Sequence, residues 1–316
     1  MKNTSTSKLF GYSAILVAML FWGVSFVWTK QLLLNNFPVF TIVTIRLSIA
    51  SLVFVSFFKW RHLLEKIRRE DVKDFLFLSF FEPFLYFIGE NFGLMYVDAS
   101  YAAVIIALIP ILVSVTMFFA EKAPIRWEFV LGALLSLVGV GLLSMNPDGK
   151  MGFNMKGTLF LCLALISAVG YSVLLSRLVK KYRPLTITTY QNLIAIPFYL
   201  PLTLMFDFSK WSSLNWNYQS ILCLLCLAIF CSAGAYMLYS YSVKKLTVTK
   251  VSVFTNLIPI VTLLVASAIG QENFTQSKFW GIVVVVTGVI FSQLKLGNRH
   301  KSSCSDGTNP QISELN

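Results

Sequence analysis

The sequence predicts an all-α membrane protein whose ten transmembrane helices form two inverted five-helix repeats. Three observations predict it. Of the 316 residues 56% are hydrophobic and only 13% charged, with mean hydropathy +0.72. A soluble domain holds about 25% charged residues because its surface must be wetted, so most of this surface faces lipid. Apolar runs long enough for a bilayer core of roughly 30 Å recur along the whole chain. The Lys and Arg residues fall almost entirely on one side of the alternation that these runs create.

Taken in order, the first five spans fall near 11–29, 38–58, 75–95, 100–120 and 127–145. The second five fall near 156–176, 185–206, 219–240, 250–270 and 278–294. Residues 1–10 form a cytoplasmic N-terminal segment, 11–145 the first repeat and 156–294 the second. The polar tail 298–316 has no periodicity and is expected to be disordered. Lys2 and Lys8 ahead of the run Tyr12–Thr29 resemble a signal peptide. That run is too long for such a segment and no small-residue cleavage site follows, so it reads as an uncleaved first span.

Orientation follows from the basic residues. Twenty of the 26 Lys and Arg fall on one side, from Lys2 and Lys8 through the Lys59–Lys73, Arg177–Arg183 and Lys244–Lys250 groups to Lys301. Five lie on the other side: Lys30, Lys150, Lys156, Lys210 and Lys278. Arg46 alone lies within a span. Such asymmetry implies an even number of spans with both termini cytoplasmic, in the cell membrane. Trp28, Trp60, Trp127, Trp211, Trp216 and Trp280 sit at span ends, the level of an interfacial belt, and only Trp22 lies inside one.

Composition also excludes functions. The net charge of +12 sits in short runs between apolar segments, which argues against nucleic acid. Cys162, Cys223, Cys226 and Cys231 lie in apolar runs and Cys304 in the tail, with no disulfide or metal framework. His62 and His300 both lie outside the spans, so a His-based catalytic or metal cluster is absent. There is no phosphate-binding Walker sequence, so no cofactor and no ATPase subunit is implied. Asn273-Phe274-Thr275 is a glycosylation sequon on the outer side, relevant only in a eukaryotic secretory pathway.

The two halves superimpose. Leu108-Ile109-Pro110-Ile111 and Leu257-Ile258-Pro259-Ile260 match at an offset of 149, which also maps Gly132 onto Gly281 and Gly139 onto Gly288. Gly23 and Ser25 match Gly170 and Ser172, and Pro38 matches Pro184, at slightly smaller offsets. An odd number of spans per half makes the copies opposite in orientation. Inverted repeats permit inward-open and outward-open states of nearly equal energy, the basis of alternating access. Gly132, Ser136 and Gly139 with Gly281 and Gly288 are expected to form a helix-packing seam. Pro110 and Pro259 are expected to act as hinges, kinking their helices near mid-membrane and freeing carbonyls to line a cavity.

With Phe21-Trp22-Gly23-Val24-Ser25, Arg46-Leu47, the stretch from Ala102 to Pro110 and Glu272 nine residues before Gly281, the sequence resembles the drug/metabolite transporter superfamily, specifically its EamA-type members. The resemblance covers roughly residues 10–295. It implies a secondary carrier, often an exporter of amino acids or related metabolites, with a central cavity between the halves. In the first half Glu121 lies eleven residues before Gly132, a departure from the spacing in the second.

Three ionisable residues lie deep in spans: Arg46, Glu82 and Glu90. A charge at the bilayer centre costs about 2.5–3.5 kcal/mol on insertion scales, so all three are expected to face the bundle interior. At 1.5 Å per residue Glu82 lies about 4–5 Å to the cytoplasmic side of the midplane and Glu90 about 7–8 Å to the outer side. A helix-breaker adjoins each acid, Pro83 as a hinge beside Glu82 and Gly89 beside Glu90, with Asn91 following. Either carboxylate could bind the ammonium of an amino acid, amine or drug-like metabolite, or take up a proton. Arg46 could hold a substrate carboxylate or pair internally with an acid. Trp22, Tyr236, Tyr239 and Asn256 are candidate substrate contacts, with Ser25, Tyr171, Gln191 and Asn192 as further wall. The reading is a small-molecule exporter in the lipid bilayer and not an enzyme. The alternatives are a nucleotide-sugar or phosphate-ester antiporter, which would want more cavity cations than Arg46, and a membrane-embedded enzyme, for which Glu82, Glu90 and Asn91 could form an acid/base site but no His or metal-ligand cluster supports them.

Overall fold

The computed structural model describes residues 2–56, 63–97, 102, 105–143, 154–269 and 275–294. His62, Glu272, Asn273, Phe274, His300, Cys304 and the tail 298–316 lie outside the described residues. All regular structure among the described residues is helical.

The first half comprises α1 (Lys2–Leu34), α2 (Val39–Phe54), α3, α4 (Ile109–Glu121) and α5 (Trp127–Leu143). Here α3 is one rod in three pieces: Val72–Ser79, a wide π turn over Phe80–Leu85, and Tyr86–Leu94. The second half comprises α6 (Met155–Lys181), α7 (Pro184–Leu202), α8, α9 and α10 (Gln276–Gln293). The α8 rod again contains a π segment, Leu227–Ala235, between Tyr218–Cys226 and Tyr236–Leu246. The α9 rod runs through Val248–Ser252, a 3-10 turn over Val253–Leu257, and Ile258–Ala268. Five helices are long and apolar enough to cross a membrane on length and composition alone; Val39–Phe54, Ile109–Glu121 and Trp127–Leu143 are shorter apolar helices.

Polarity is reversed relative to a soluble domain. Leu20, Leu131, Val138, Ile166, Met205 and Ile290 are exposed, whereas Arg46, Glu82, Glu90, Gln191, Asn192 and Asn256 are buried. Water would penalise that apolar surface, and lipid does not.

The halves interlock by exchange. The first helix of one half, α1, packs on α8 and α9 of the other; reciprocally α6 packs on α3 and α4. Helix α2 lies against α7, and α5 against α10. The last contact is the predicted glycine seam. A Cβ on Gly288 would lie 2.5 Å from the Ser136 nitrogen and 2.6 Å from the Gly132 carbonyl oxygen. One on Gly132 would lie 2.5 Å from the Ser292 nitrogen and 2.6 Å from the Gly288 oxygen. Gly139 and Gly281 meet the same way one to two turns further along. Backbone on backbone at this range is open to glycine alone.

The two prolines stand in matched places. Each lies in the first turn of an α-helical piece, just after Leu108 or Leu257, both of which keep right-handed helical backbone angles; at Leu257 a 3-10 turn passes directly into the α-helix. That position suits proline, since the first-turn N–H has no helical acceptor to lose. The α-helical piece begins at the same place in both halves, directly after the first residue of the matched Leu-Ile-Pro-Ile segments.

Candidate functional site

The central irregularity of α3 makes the site. Glu82 has extended backbone (φ −144, ψ 120) inside the wide turn, with Pro83 following. This interrupts the regular helical ladder, although the Tyr86 N–H still reaches the Phe81 and Pro83 carbonyls, and α7 adds side-chain donors to the turn. Gln191 Nε2 donates to the Glu82 carbonyl at 3.0 Å, and the Tyr199 hydroxyl reaches the Pro83 and Phe84 carbonyls at 3.1 and 2.8 Å. Irregular backbone at membrane depth persists only where neighbours satisfy it in this way. In the second half the π segment of α8 occupies the equivalent place, and Asn192 Nδ2 donates to the Ser232 carbonyl at 2.9 Å.

A cavity of about 60 Å³ lies beside this turn, between the halves. The first half contributes Trp22 and Ser25 from α1, Arg46 from α2, Glu82, Tyr86 and Glu90 from α3, and Ile109 from α4. The second contributes Tyr171 and Ser172 from α6, Tyr236 and Tyr239 from α8, and Thr255 and Ile258 at the 3-10 turn of α9 and the helical start after it. The space holds a water or two, each needing about 30 Å³ in the liquid, and is well short of the roughly 150 Å³ that admits a benzene.

Its charges are two carboxylates and one guanidinium. Glu82 Oε1 accepts from the Tyr236 hydroxyl at 3.0 Å, and Glu90 Oε1 from the Tyr86 hydroxyl at 3.4 Å. Arg46 Nε donates to Ser232 Oγ at 2.7 Å, and its guanidinium carbon lies 4.7 Å from the Phe87 ring centroid. Among the described residues Arg46 forms no ion pair with either acid within 4 Å. The internal Arg–Glu pair that the sequence left open is therefore not formed, and all three charged groups keep capacity toward the cavity.

The sequence-predicted residues divide. Trp22, Arg46, Glu82, Glu90, Tyr236 and Tyr239 line one cavity, with Ser25 and Tyr171. Asn91 and Asn256 do not: Asn91 Nδ2 bonds back to the Phe87 carbonyl at 2.7 Å, and Asn256 Nδ2 donates to Ser136 Oγ at 2.6 Å, at the seam. Gln191 and Asn192 act behind the wall. Tyr86, Phe87 and Thr255 belong to the wall and were missed. Tyr86 was findable in principle, since it stands one turn before Glu90 on the same helix face. Among the described residues no three His, Cys, Asp or Glu side chains group as a metal site would require.

Comparison with known proteins places this architecture. The model of the EamA-like transporter family matches residues 9–145 and again 155–294. The chain belongs to the EamA-like transporter family. The two matched stretches are the two halves described above, so the family unit occurs twice here. Among relatives, an uncharacterized transporter of Bacillus subtilis (strain 168), YetK, is 26% identical over 295 residues, covering 90% of this chain and 87% of its own. An uncharacterized transporter of Archaeoglobus fulgidus is 26% identical over 272 residues, covering 85% of this chain and 93% of its own. A crystal structure 19% identical in sequence superimposes with a TM-score of 0.74, covering 92% of this chain and 96% of that one, which shows the shared fold. In this EamA-like chain the cavity sits where the two family units meet.

Proposed function

We propose that this chain is a secondary carrier that exports amino acids or related amines across the cell membrane by alternating access, with both termini cytoplasmic. The observation that supports the reading is the shared cavity, lined from both halves and holding Glu82, Glu90 and Arg46 without an ion pair between them. Buried charge is costly in a membrane, and packing alone gives no return for it. A carboxylate at one wall and a guanidinium at another match the two ends of a zwitterion. At about 60 Å³ the cavity is smaller than an amino acid, so admission requires the halves to part. The matched prolines Pro110 and Pro259, one per half at the start of an α-helical piece, are suited to serve as hinges for that. One of the two acids serves as the proton acceptor that couples export to the proton gradient.

The test is an extracellular metabolite profile of cells producing the protein, beside Glu82→Gln and Glu90→Gln variants at matched abundance. One class of amines or amino acids should accumulate outside, and at least one substitution should abolish it. An unchanged profile, or three identical ones, overturns the reading. Activity that persists in detergent without a sealed compartment would instead mark an enzyme.

A further inference from the structure

Four of the helices that line the central cavity, α4, α6, α8 and α9, also line a second and larger one of about 630 Å³. On its wall Ser176 stands one turn from Ser172, Val243 one turn from Tyr239, and Met117 two turns from Ile109. On α6 and α8 that step leads toward the basic ends of the helices, which carry Lys180 and Lys181, and Lys244 and Lys245. Between the two cavities in register are Val113 on α4 and Val251 on α9, both fully buried.

Five cations surround the second pocket: Arg126, Lys180, Lys244, Lys245 and Lys250. Two of them meet carboxylates, Lys180 Nζ at 2.8 Å from Glu121 Oε2 and Arg126 at 3.0 Å from Glu128 Oε1. Among the described residues Lys244 and Lys245 have no carboxylate within 4 Å. Lys244 Nζ donates to the Tyr182 carbonyl at 2.9 Å, which leaves two of its three N–H groups. Lys245 Nζ lies 5.6 Å from the Tyr241 ring centroid. A basic excess on one side is general among membrane proteins, but it does not require the cations to converge on a concavity without carboxylates to answer them. Lys181 and Arg183 show the other arrangement at the end of α6 and just beyond it, paired with Asp71 and Glu65.

The rest of the wall is largely apolar, with Met117, Phe129, Val243 and Leu246. The volume falls within the roughly 300–1,000 Å³ of small-molecule sites, which join an apolar lining to a few orienting polar groups. Backbone strain marks the same place. Thr247, on the wall between Lys245 and Lys250, has φ 116 and ψ 149, a region that residues with side chains rarely adopt. Such strain persists where the surroundings over-determine it and concentrates at ligand clamps. We propose that this second pocket binds an organic oxyanion, a carboxylate or phosphate carried on an apolar body, with Lys244 and Lys245 as its charge partners. The site goes beyond the transport reading and does not depend on it.

The test uses the purified full-length protein in neutral-detergent micelles, with binding read by calorimetry. The probes are benzoate and its uncharged amide, benzamide, with dioctanoyl phosphatidylglycerol and dioctanoyl phosphatidylcholine as competitors. Benzoate should bind about ten-fold or more tighter than benzamide, as a charge-assisted hydrogen bond allows. Lys244→Gln combined with Lys245→Gln should remove that preference at an unchanged melting midpoint. Should the double variant melt lower, Lys245→Gln alone, which leaves the Tyr182 contact in place, should still weaken benzoate, and Lys245→Arg should retain it. Displacement of benzoate by phosphatidylglycerol and not by phosphatidylcholine assigns the site to a lipid-borne phosphate, and no displacement by either assigns it to a soluble anion; both results keep the site. Benzamide binding as tightly as benzoate overturns the inference, as does a preference untouched by the lysine substitutions. A preference lost instead in Arg46→Gln would place the anion in the central cavity, overturning this site while leaving the export reading standing.

Discussion

Replacing Gly288 by alanine should destabilise the bundle far more than one methyl group suggests. The new Cβ would stand 2.5 Å from the Ser136 nitrogen and 2.6 Å from the Gly132 oxygen, and ordinary van der Waals contact begins near 3.4 Å. Both atoms are backbone, so no side chain can turn aside; α5 and α10 must separate by about 0.9 Å, the difference between those distances. A gap of 0.5–1 Å forfeits roughly a quarter to a half of each dispersion contact along the seam, and overpacking typically costs about 1–3 kcal/mol. The melting midpoint in detergent should fall by about 3–8 °C. Gly141 on the same helix supplies the control, because a Cβ there meets nothing within 4 Å. Gly141→Ala should leave the midpoint unchanged or raise it slightly, since alanine gains up to about 1 kcal/mol of helix propensity over glycine. Equal midpoints for the two variants would refute the close-approach account of the seam.

Three further outcomes follow from the same geometry. Ser136→Ala removes the hydroxyl that accepts from buried Asn256, whose Oδ1 already has no partner; a loss of about 1–3 kcal/mol is expected in a chemical or thermal melt, and a neutral variant would show that Asn256 finds another partner. Asp71, buried just before α3, accepts from Lys181 Nζ and from the Tyr182 hydroxyl at 2.7 Å, and chiefly the Lys181 bond holds its carboxyl below the usual range. Its contribution is complete above about pH 4, the ordinary value, and is lost as pH falls through the lowered one. Asp71→Asn should therefore melt lower than wild type at pH 7 and lack part of the acid-side decline; superimposable pH profiles would contradict this. Arg46→Gln should reduce export of amino acids at least about ten-fold, the worth of one charge-assisted hydrogen bond, while sparing amines that lack a carboxylate. Equal losses for both substrate types in sealed vesicles would rule out a carboxylate-binding role for Arg46.

Much of this architecture was legible in the residues, for identifiable reasons. Span positions and the repeat rest on apolar length and on matched Gly and Pro residues, signals that survive without knowing which way a helix faces. The seam was legible because glycine on a membrane helix has few other uses. Facing was harder. A lipid-embedded helix is apolar on its outer side and largely apolar within, so periodicity does not mark the inward stripe as it would in a soluble bundle. Asn256 therefore reads as a cavity residue from polarity alone, while the structure turns it toward Ser136. Phe87 and Thr255 reach the cavity wall with nothing in their residue type to announce it. The wide turn at Glu82 was half legible: Pro83 signals a break, but only the positions of Gln191 and Tyr199 on α7 show how the opened backbone is held.

The glycine seam has one more property. Gly132 meets the carbonyl of Gly288 and the nitrogen four residues beyond it; Gly288 meets the carbonyl of Gly132 and the nitrogen four residues beyond that. Gly139 and Gly281 repeat the relation with Val285 and Leu143. The contact is isologous, the kind that joins two identical subunits across a two-fold axis, although both partners here belong to one chain. A surface that complements its own copy needs no covalent link to be recognised. Two separate five-helix chains inserted in opposite directions would already present it to each other, so the segment joining the halves is free to serve stoichiometry and orientation rather than cohesion.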